Sequence, residues 1–166
     1  MPFSLKRVGC ALALFLLTVG LAQGQSLRGR VSLQLNGSST QASIAPGLHL
    51  DAQLPIVGGL SLVGGGGVSA FLLEGRTRGT YTFDPELTLK VTLPSRSKAA
   101  TTVFGGIGYH LSFGPISEPG GPTVHLGAGR IWTLRESTLF VDIVPTVIFR
   151  KETIAVTMPL RAGVVF

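Results

Sequence analysis

The chain has 166 residues, one cysteine and a formal net charge of +6, and only 13% of it is charged. That is far below the ~25% of an ordinary soluble domain, and the length allows no more than one sizeable domain beside a leader. Lys and Arg are scattered, neither gathered into a run nor interleaved with aromatics, which excludes a nucleic-acid-binding surface.

Lys6 and Arg7 precede an uncharged apolar run from Val8 to Ala22, and Ala22-Gln23-Gly24 is a small-x-small site. This is the layout of a cleavable secretory signal peptide, so residues 1–24 are expected to be removed and 25–166 to form the mature domain. The run is shorter than the ~20 residues of a membrane-spanning helix. Cys10 lies within it rather than after the cleavage site, so no lipoprotein anchor is indicated and the mature chain has no thiol for a disulfide or metal. With Lys6 and Arg7 gone, 14 Lys and Arg become 12 against 8 Asp and Glu, a mature net charge of +4. No later apolar stretch is long enough for a membrane helix, so the high hydropathy needs another explanation.

That explanation is alternation. From Leu27 to Leu35 the odd positions are apolar or Gly, and the even ones are Arg28, Arg30, Ser32 and Gln34, the signature of a strand with two unlike faces. A second strand runs from about Ser43 to Ile56, with His49, Asp51 and Gln53 on the polar face. Val57-Gly58-Gly59 supplies turn chemistry, and a third strand follows from Leu60 to about Leu73. Its Gly64–Gly67 run predicts a bend or a close strand approach. The fourth strand alternates most cleanly: Tyr81, Phe83, Pro85, Leu87, Leu89, Val91 and Leu93 against Thr82, Asp84, Glu86, Thr88, Lys90 and Thr92. The fifth carries Val103, Gly105, Ile107, Tyr109, Leu111 and Phe113 on its apolar face. The sixth spans about Thr123 to Leu134, the seventh Thr138 to Arg150 and the eighth Thr153 to Phe166.

Which face meets which medium follows from volume and charge. Eight strands' worth of Leu, Val and Phe would overfill a lumen that just accommodates side chains. The remaining face, mostly Thr, Ser and Gly, carries far less than the roughly 25–35% charge of a soluble surface. Placing the apolar face against lipid and the polar face inside removes both conflicts. A sheet spans hydrocarbon only when closed, because every backbone N–H and C=O must be bonded internally. The expectation is an all-β protein: an eight-stranded antiparallel up-and-down transmembrane barrel in a bacterial outer membrane, with both termini periplasmic. Tyr81, Phe83, Tyr109, Phe113 and Phe149 then form an outer aromatic belt, with Trp132 and Phe166 near the periplasmic rim. In this topology Arg76, Arg78 and Glu118 face the exterior, and Arg96, Lys98 and Glu136 the periplasm.

The last strand ends in Phe166, with Met158, Leu160, Ala162 and Val164 at every second position before it. This resembles the C-terminal signature of bacterial outer-membrane barrels and, with eight strands, the small OmpA/OmpX-type members. The resemblance implies that these five residues are read by the barrel assembly machinery. The remaining expected partners are outer-membrane lipids, with no nucleic acid and the protein a monomer.

Three groups could carry chemistry. The inward charges Arg28, Arg30, Asp51, Asp84, Glu86, Lys90, Asp142 and Arg161 could line an ion path, but buried charges persist only when paired. The expectation is that Arg30, Arg161, Asp51 and Asp142 form one cluster in the lower lumen, completed by Glu86 and Lys90, with Arg28 alongside. His110 and Ser112 resemble part of the outer-membrane lipid A deacylases, with Glu118 or Glu86 as the third group. That family's Asn after Ser is here Phe113, and both side chains face the lumen rather than lipid. His125 has no partner at metal-ligand spacing and is read as a lumen residue. Neither a catalytic set, nor a cofactor, nor a metal site is expected. The loops (36–42, 74–79, 114–122 and Lys151-Glu152) are short for an adhesin.

Arg130 breaks the pattern by falling in the outward phase. An arginine against lipid costs about 2–4 kcal/mol at midplane and about 0–1 near an interface, so it either reaches the periplasmic headgroups or a bulge in Gly127-Ala128-Gly129 turns it inward. The function expected is a structural, non-enzymatic envelope protein. The rivals are a lipid A hydrolase and a soluble periplasmic barrel for a small apolar ligand.

Overall fold

A computed structural model describes residues 27–38, 44–71, 80–95, 97–114 and 119–166. The expected signal peptide and most of the first three outer loops lie outside these residues. The strands are β1 (Arg28–Ser38), β2 (Ile44–Val57), β3 (Leu60–Phe71), β4 (Thr80–Thr92), β5 (Ala99–Phe113), β6 (Gly121–Thr133), β7 (Thr138–Ile143), β8 (Thr146–Phe149) and β9 (Ile154–Val165). All neighbours are antiparallel, and β1 pairs with both β2 and β9, so the sheet closes.

β7 and β8 are two pieces of one stave. Both pair with β6 on one side and β9 on the other, and the register is unchanged across the gap. The expected seventh strand is interrupted at Val144-Pro145, where Pro145 lacks a ladder N–H and so does Pro159, which lies opposite Val144 on the adjacent stave. Val144 N–H still donates to Pro159 O (2.9 Å) and Leu126 N–H to Pro145 O (3.2 Å), which holds the stave in line. The barrel therefore has eight staves.

The stagger of the staves can be read from the register. Following partners from Arg30 leads through Asp51, Gly65, Glu86, Gly108, Thr123 and Ile148 to Ala155, whereas Arg30's own partner on β9 is Val165. The offset on β9, from 155 to 165, is a shear of 10 residues. With about 3.3 Å per residue along a strand and about 4.8 Å between strands, eight staves with that shear tilt about 40° from the axis. At the lower end Gly29 and Phe166 exchange two backbone hydrogen bonds of 2.9 Å, which seals the first stave to the last.

Turn chemistry agrees with the sequence. Gly58 and Gly59 both have positive φ (54° and 85°) between the paired Val57 and Leu60, the two-residue hairpin that glycine permits. A register shift falls between Pro55 and Val57, just before this turn. The Gly64–Gly67 run, by contrast, passes straight through β3 without a register shift. It marks close approach, not a bend: a Cβ on Gly65 would stand 2.5 Å from Asp51 Cβ, and one on Gly67 3.1 Å from the His49 ring.

The packing is that of a globular protein turned inside out. Among the described residues, seven hydrophobic side chains are buried against seventeen polar or charged ones, while Leu33, Leu126 and Ile107 are 72%, 70% and 62% exposed. The outward face of the described strands holds one charged residue, Arg130, and one other polar non-aromatic residue, Thr101. The register of β6 with β5 and β7 shows no shift, so the alternative of a bulge at Gly127-Ala128-Gly129 is ruled out and Arg130 points outward.

Candidate functional site: the barrel lumen

Inward phase sets the lining. β1 contributes Arg30, Ser32, Gln34 and Asn36, β2 contributes His49, Asp51 and Gln53, and β4 contributes Thr82 to Lys90 at even positions. Asp142 comes from β7 and Arg161 from β9.

The charged residues meet in two groups. In the first, Arg30 Nη2 bonds Asp142 Oδ2 and Arg30 Nε lies 3.5 Å from Asp51 Oδ1. Lys90 Nζ lies 3.8 Å from Asp142 Oδ2. Arg30 and Asp142 are two staves apart, and the stave between them supplies Gly163 at the inward position paired with Phe140. With no side chain there, the Arg30 guanidinium lies 3.8 Å from the Phe140 ring centroid. Lys90 is 1% exposed and its Nζ makes no hydrogen bond among the described residues. Its compensation is Asp142 and the faces of Phe104 and Phe140, at 5.7 and 5.8 Å.

In the second group Arg161 forms a two-pronged pair with Glu86 (2.7 and 2.9 Å), the strongest geometry such ions adopt. Arg161 Nε also donates to Gln34 Oε1 at 2.8 Å, and Gln34 Nε2 donates to Asn36 Oδ1 at 2.9 Å. His49 joins the two groups, with Nδ1 3.4 Å from Asp51 and Nε2 3.2 Å from Glu86. Arg30, Asp51, Glu86, Lys90, Asp142 and Arg161 are thus all in contact through His49.

Glu86 joins the cluster through Arg161 and Lys90 through Asp142. The structure departs from the expected arrangement at one residue. Arg28 stands apart: it is exposed at the first position of β1, two residues (about 6–7 Å) nearer the rim than Arg30, and makes no ion pair among the described residues. His49 and Gln34 were not among the expected network members. Their signal was present, since each shares the inward phase and is separated by two or four residues from a charged member.

Glycines make the room. A Cβ on Gly129 would overlap the Asp142 carboxylate, and one on Gly106 would lie 2.7 Å from His125 Nε2. Both glycines are inward-facing, so each acts as a socket for a polar side chain on a neighbouring stave.

Above the Arg161–Glu86 pair, toward the loop end, lies a small space partly open to solvent. Its walls include Asn36, Thr82, Asp84, His110, Thr123 and His125. His110 Nδ1 lies 2.6 Å from Asp84 Oδ1, and His125 Nε2 lies 2.8 Å from Thr88 Oγ1. The acidic partner of His110 is therefore Asp84 and not Glu86, while Glu118 lies outside the described residues. Ser112 pairs with Thr82 in the ladder, and no hydrogen bond links it to His110. No group of three or more His, Cys, Asp or Glu among the described residues could hold a metal ion.

The expected belt residues lie at the two rims. Tyr81, Phe83, Tyr109, Phe113 and Phe149 are outward at the loop end, where Tyr81 pairs with Phe113. Trp132 and Phe166 are outward at the end where β1 begins and β9 ends. Met158, Leu160, Ala162, Val164 and Phe166 all share the outward phase of the last stave. The Phe166 ring covers Gly29, leaving no space for a side chain there.

An all-β closed barrel of eight staves with an apolar exterior and a charged lumen has the architecture of the small bacterial outer-membrane barrels. Solved structures of that class superpose on it along nearly their whole length. Neisserial surface protein A matches with a TM-score of 0.70 at 10% identity, covering 86% of this chain and 98% of its own. The N-terminal β-barrel domain of Pseudomonas aeruginosa OprF gives 0.54 at 10% identity, over 86% and 99%. The outer membrane enzyme PagL gives 0.56 at 12% identity, over 81% and 97%. At such identities the likeness is one of fold. No family model matches the sequence, and no curated protein matches it.

Proposed function

We propose that this protein is a structural, non-enzymatic barrel of the bacterial outer membrane that contributes to envelope integrity or a surface contact and whose lumen is closed by its own side chains. Both termini would lie at the periplasmic rim, the chain would act as a monomer, and its last stave would be the segment read by the assembly machinery. The apolar exterior supports membrane residence, because an outer face with one charged residue can be solvated by lipid and not by water. It disfavours the soluble ligand-binding barrel for the same reason.

The observation that carries the closed lumen is the unbroken chain of contacts Lys90–Asp142–Arg30–Asp51–His49–Glu86–Arg161, which draws on β4, β7, β1, β2 and β9 and so crosses the interior. A hydrolase would need a base beside a nucleophile and a third group to orient it. His110 has an orienting carboxylate in Asp84, but the Ser112 hydroxyl makes no hydrogen bond to it.

The test is electrical. Purified protein reconstituted into a planar bilayer is expected to show no steady current, whereas Arg161→Ala/Glu86→Ala, which removes the two-pronged pair, should admit measurable conductance. A steady large conductance in the unaltered protein would mean that the lumen is a pore.

A further inference from the structure

The outward face carries one feature that the plugged-barrel reading does not use. Its two hydrophilic non-aromatic residues, Arg130 and Thr101, are direct cross-strand partners on β6 and β5. They stand at the same height on a surface that is otherwise aliphatic, aromatic, glycine or proline among the described strand residues. One step nearer the terminal rim on the same face, Trp132 pairs with Ala99. Beyond it come the exposed Lys98 and Arg135, at the rim of the two strands that Thr133 N–H joins by donating to Lys98 O at 2.9 Å. Arg130 makes no ion pair with any described residue.

We propose that Arg130, Thr101, Lys98 and Arg135 form a binding site for the phosphate headgroup of an anionic glycerophospholipid in the periplasmic leaflet. The inference rests on the reading of the protein as membrane-embedded. Arg130 is three residues above the end of β6, about 10 Å along the strand and less in depth once the tilt is included. A long side chain there extends toward the interface and keeps its stem in hydrocarbon. The level it reaches is marked by Trp132, an aromatic type that settles at the headgroup boundary. The guanidinium presents a planar fork of N–H donors suited to phosphate oxygens, and the Thr101 hydroxyl beside it can donate one more. Lys98 and Arg135 add positive charge below, each worth about fivefold in affinity for an anionic membrane surface. Glu136 is the one acidic side chain in that turn, so the cations prevail. A zwitterionic lipid offers the same phosphate but also an ammonium group, which the three cations disfavour. The selectivity expected is thus for the anionic lipid.

Native mass spectrometry of the folded barrel, in detergent with equal phosphatidylglycerol and phosphatidylcholine, tests this. Wild-type protein is expected to retain phosphatidylglycerol at least fivefold over phosphatidylcholine. Arg130→Gln should bring the preference below twofold, Arg130→Lys should keep an intermediate value, and Lys151→Gln at the opposite rim should leave it unchanged. Equal preference in wild type and Arg130→Gln, or no preference in wild type, would overturn the site. Failure of wild-type protein to fold into phosphatidylcholine vesicles, read by its heat-modifiable gel mobility, would instead overturn the membrane reading.

Discussion

Asp142→Ala is expected to lower the unfolding free energy by about 3–5 kcal/mol, because it leaves two buried cations without their shared carboxylate. Arg30 would retain Asp51 at 3.5 Å and the Phe140 ring, and Lys90 would retain only the two phenylalanine rings. Removing a buried charge together with its partner is far less costly than stranding the partner. Lys90→Met alone should therefore cost less than Asp142→Ala, since Lys90 Nζ has no hydrogen bond to lose. The double variant Asp142→Ala/Lys90→Met should recover part of the loss. Urea unfolding in lipid vesicles, followed by the fluorescence of the single tryptophan, Trp132, measures all three. An unchanged midpoint in Asp142→Ala would show that the contacts contribute nothing to stability.

Leu126→Arg is the second large effect. Leu126 is 70% exposed, five residues from one end of β6 and seven from the other, and so lies near the middle of the spanning surface. An arginine at that depth costs about 2–4 kcal/mol, whereas the same residue near the interface costs about 0–1. The natural Arg130, four residues toward the rim on the same face, is the built-in control. Insertion into vesicles should be strongly impaired for Leu126→Arg and little changed for Arg130→Leu. If both variants insert alike, the outward face does not meet hydrocarbon.

Much of this was legible in the sequence because side-chain direction in a strand depends only on parity. Alternation sorts Leu87, Leu89 and Val91 from Glu86, Thr88 and Lys90 without knowledge of any neighbour. The same logic placed Arg130 outward and Asp142 inward. What parity cannot supply is height. Whether Glu86 meets Arg161 or Arg30 depends on the shear of the closed barrel, a property of eight pairings at once. Arg28 fell out of the cluster for that reason: its phase is right, but it stands one inward position too close to the rim. The break between β7 and β8 was equally hidden, because it takes Pro145 and Pro159 on two staves to make it. The inward glycines looked like weak points in strands. Gly129 and Gly65 are legible as sockets only once Asp142 and Asp51 are known to lie across the ladder from them.

The central claim is that the apolar face meets lipid while the polar face is enclosed. Spin labels on single cysteines, introduced with Cys10 replaced by Ser, test it at adjacent residues of opposite phase. Thr88 and Thr123 are 5% and 7% exposed, and their neighbours Leu89 and Val124 are 53% and 44% exposed. In vesicles, labels at 89 and 124 should collide freely with oxygen dissolved in the bilayer and scarcely with an aqueous nickel chelate, and labels at 88 and 123 should be shielded from bilayer oxygen. Oxygen access at 88 and 123 in place of 89 and 124, or nickel access at 89 and 124, would contradict the account.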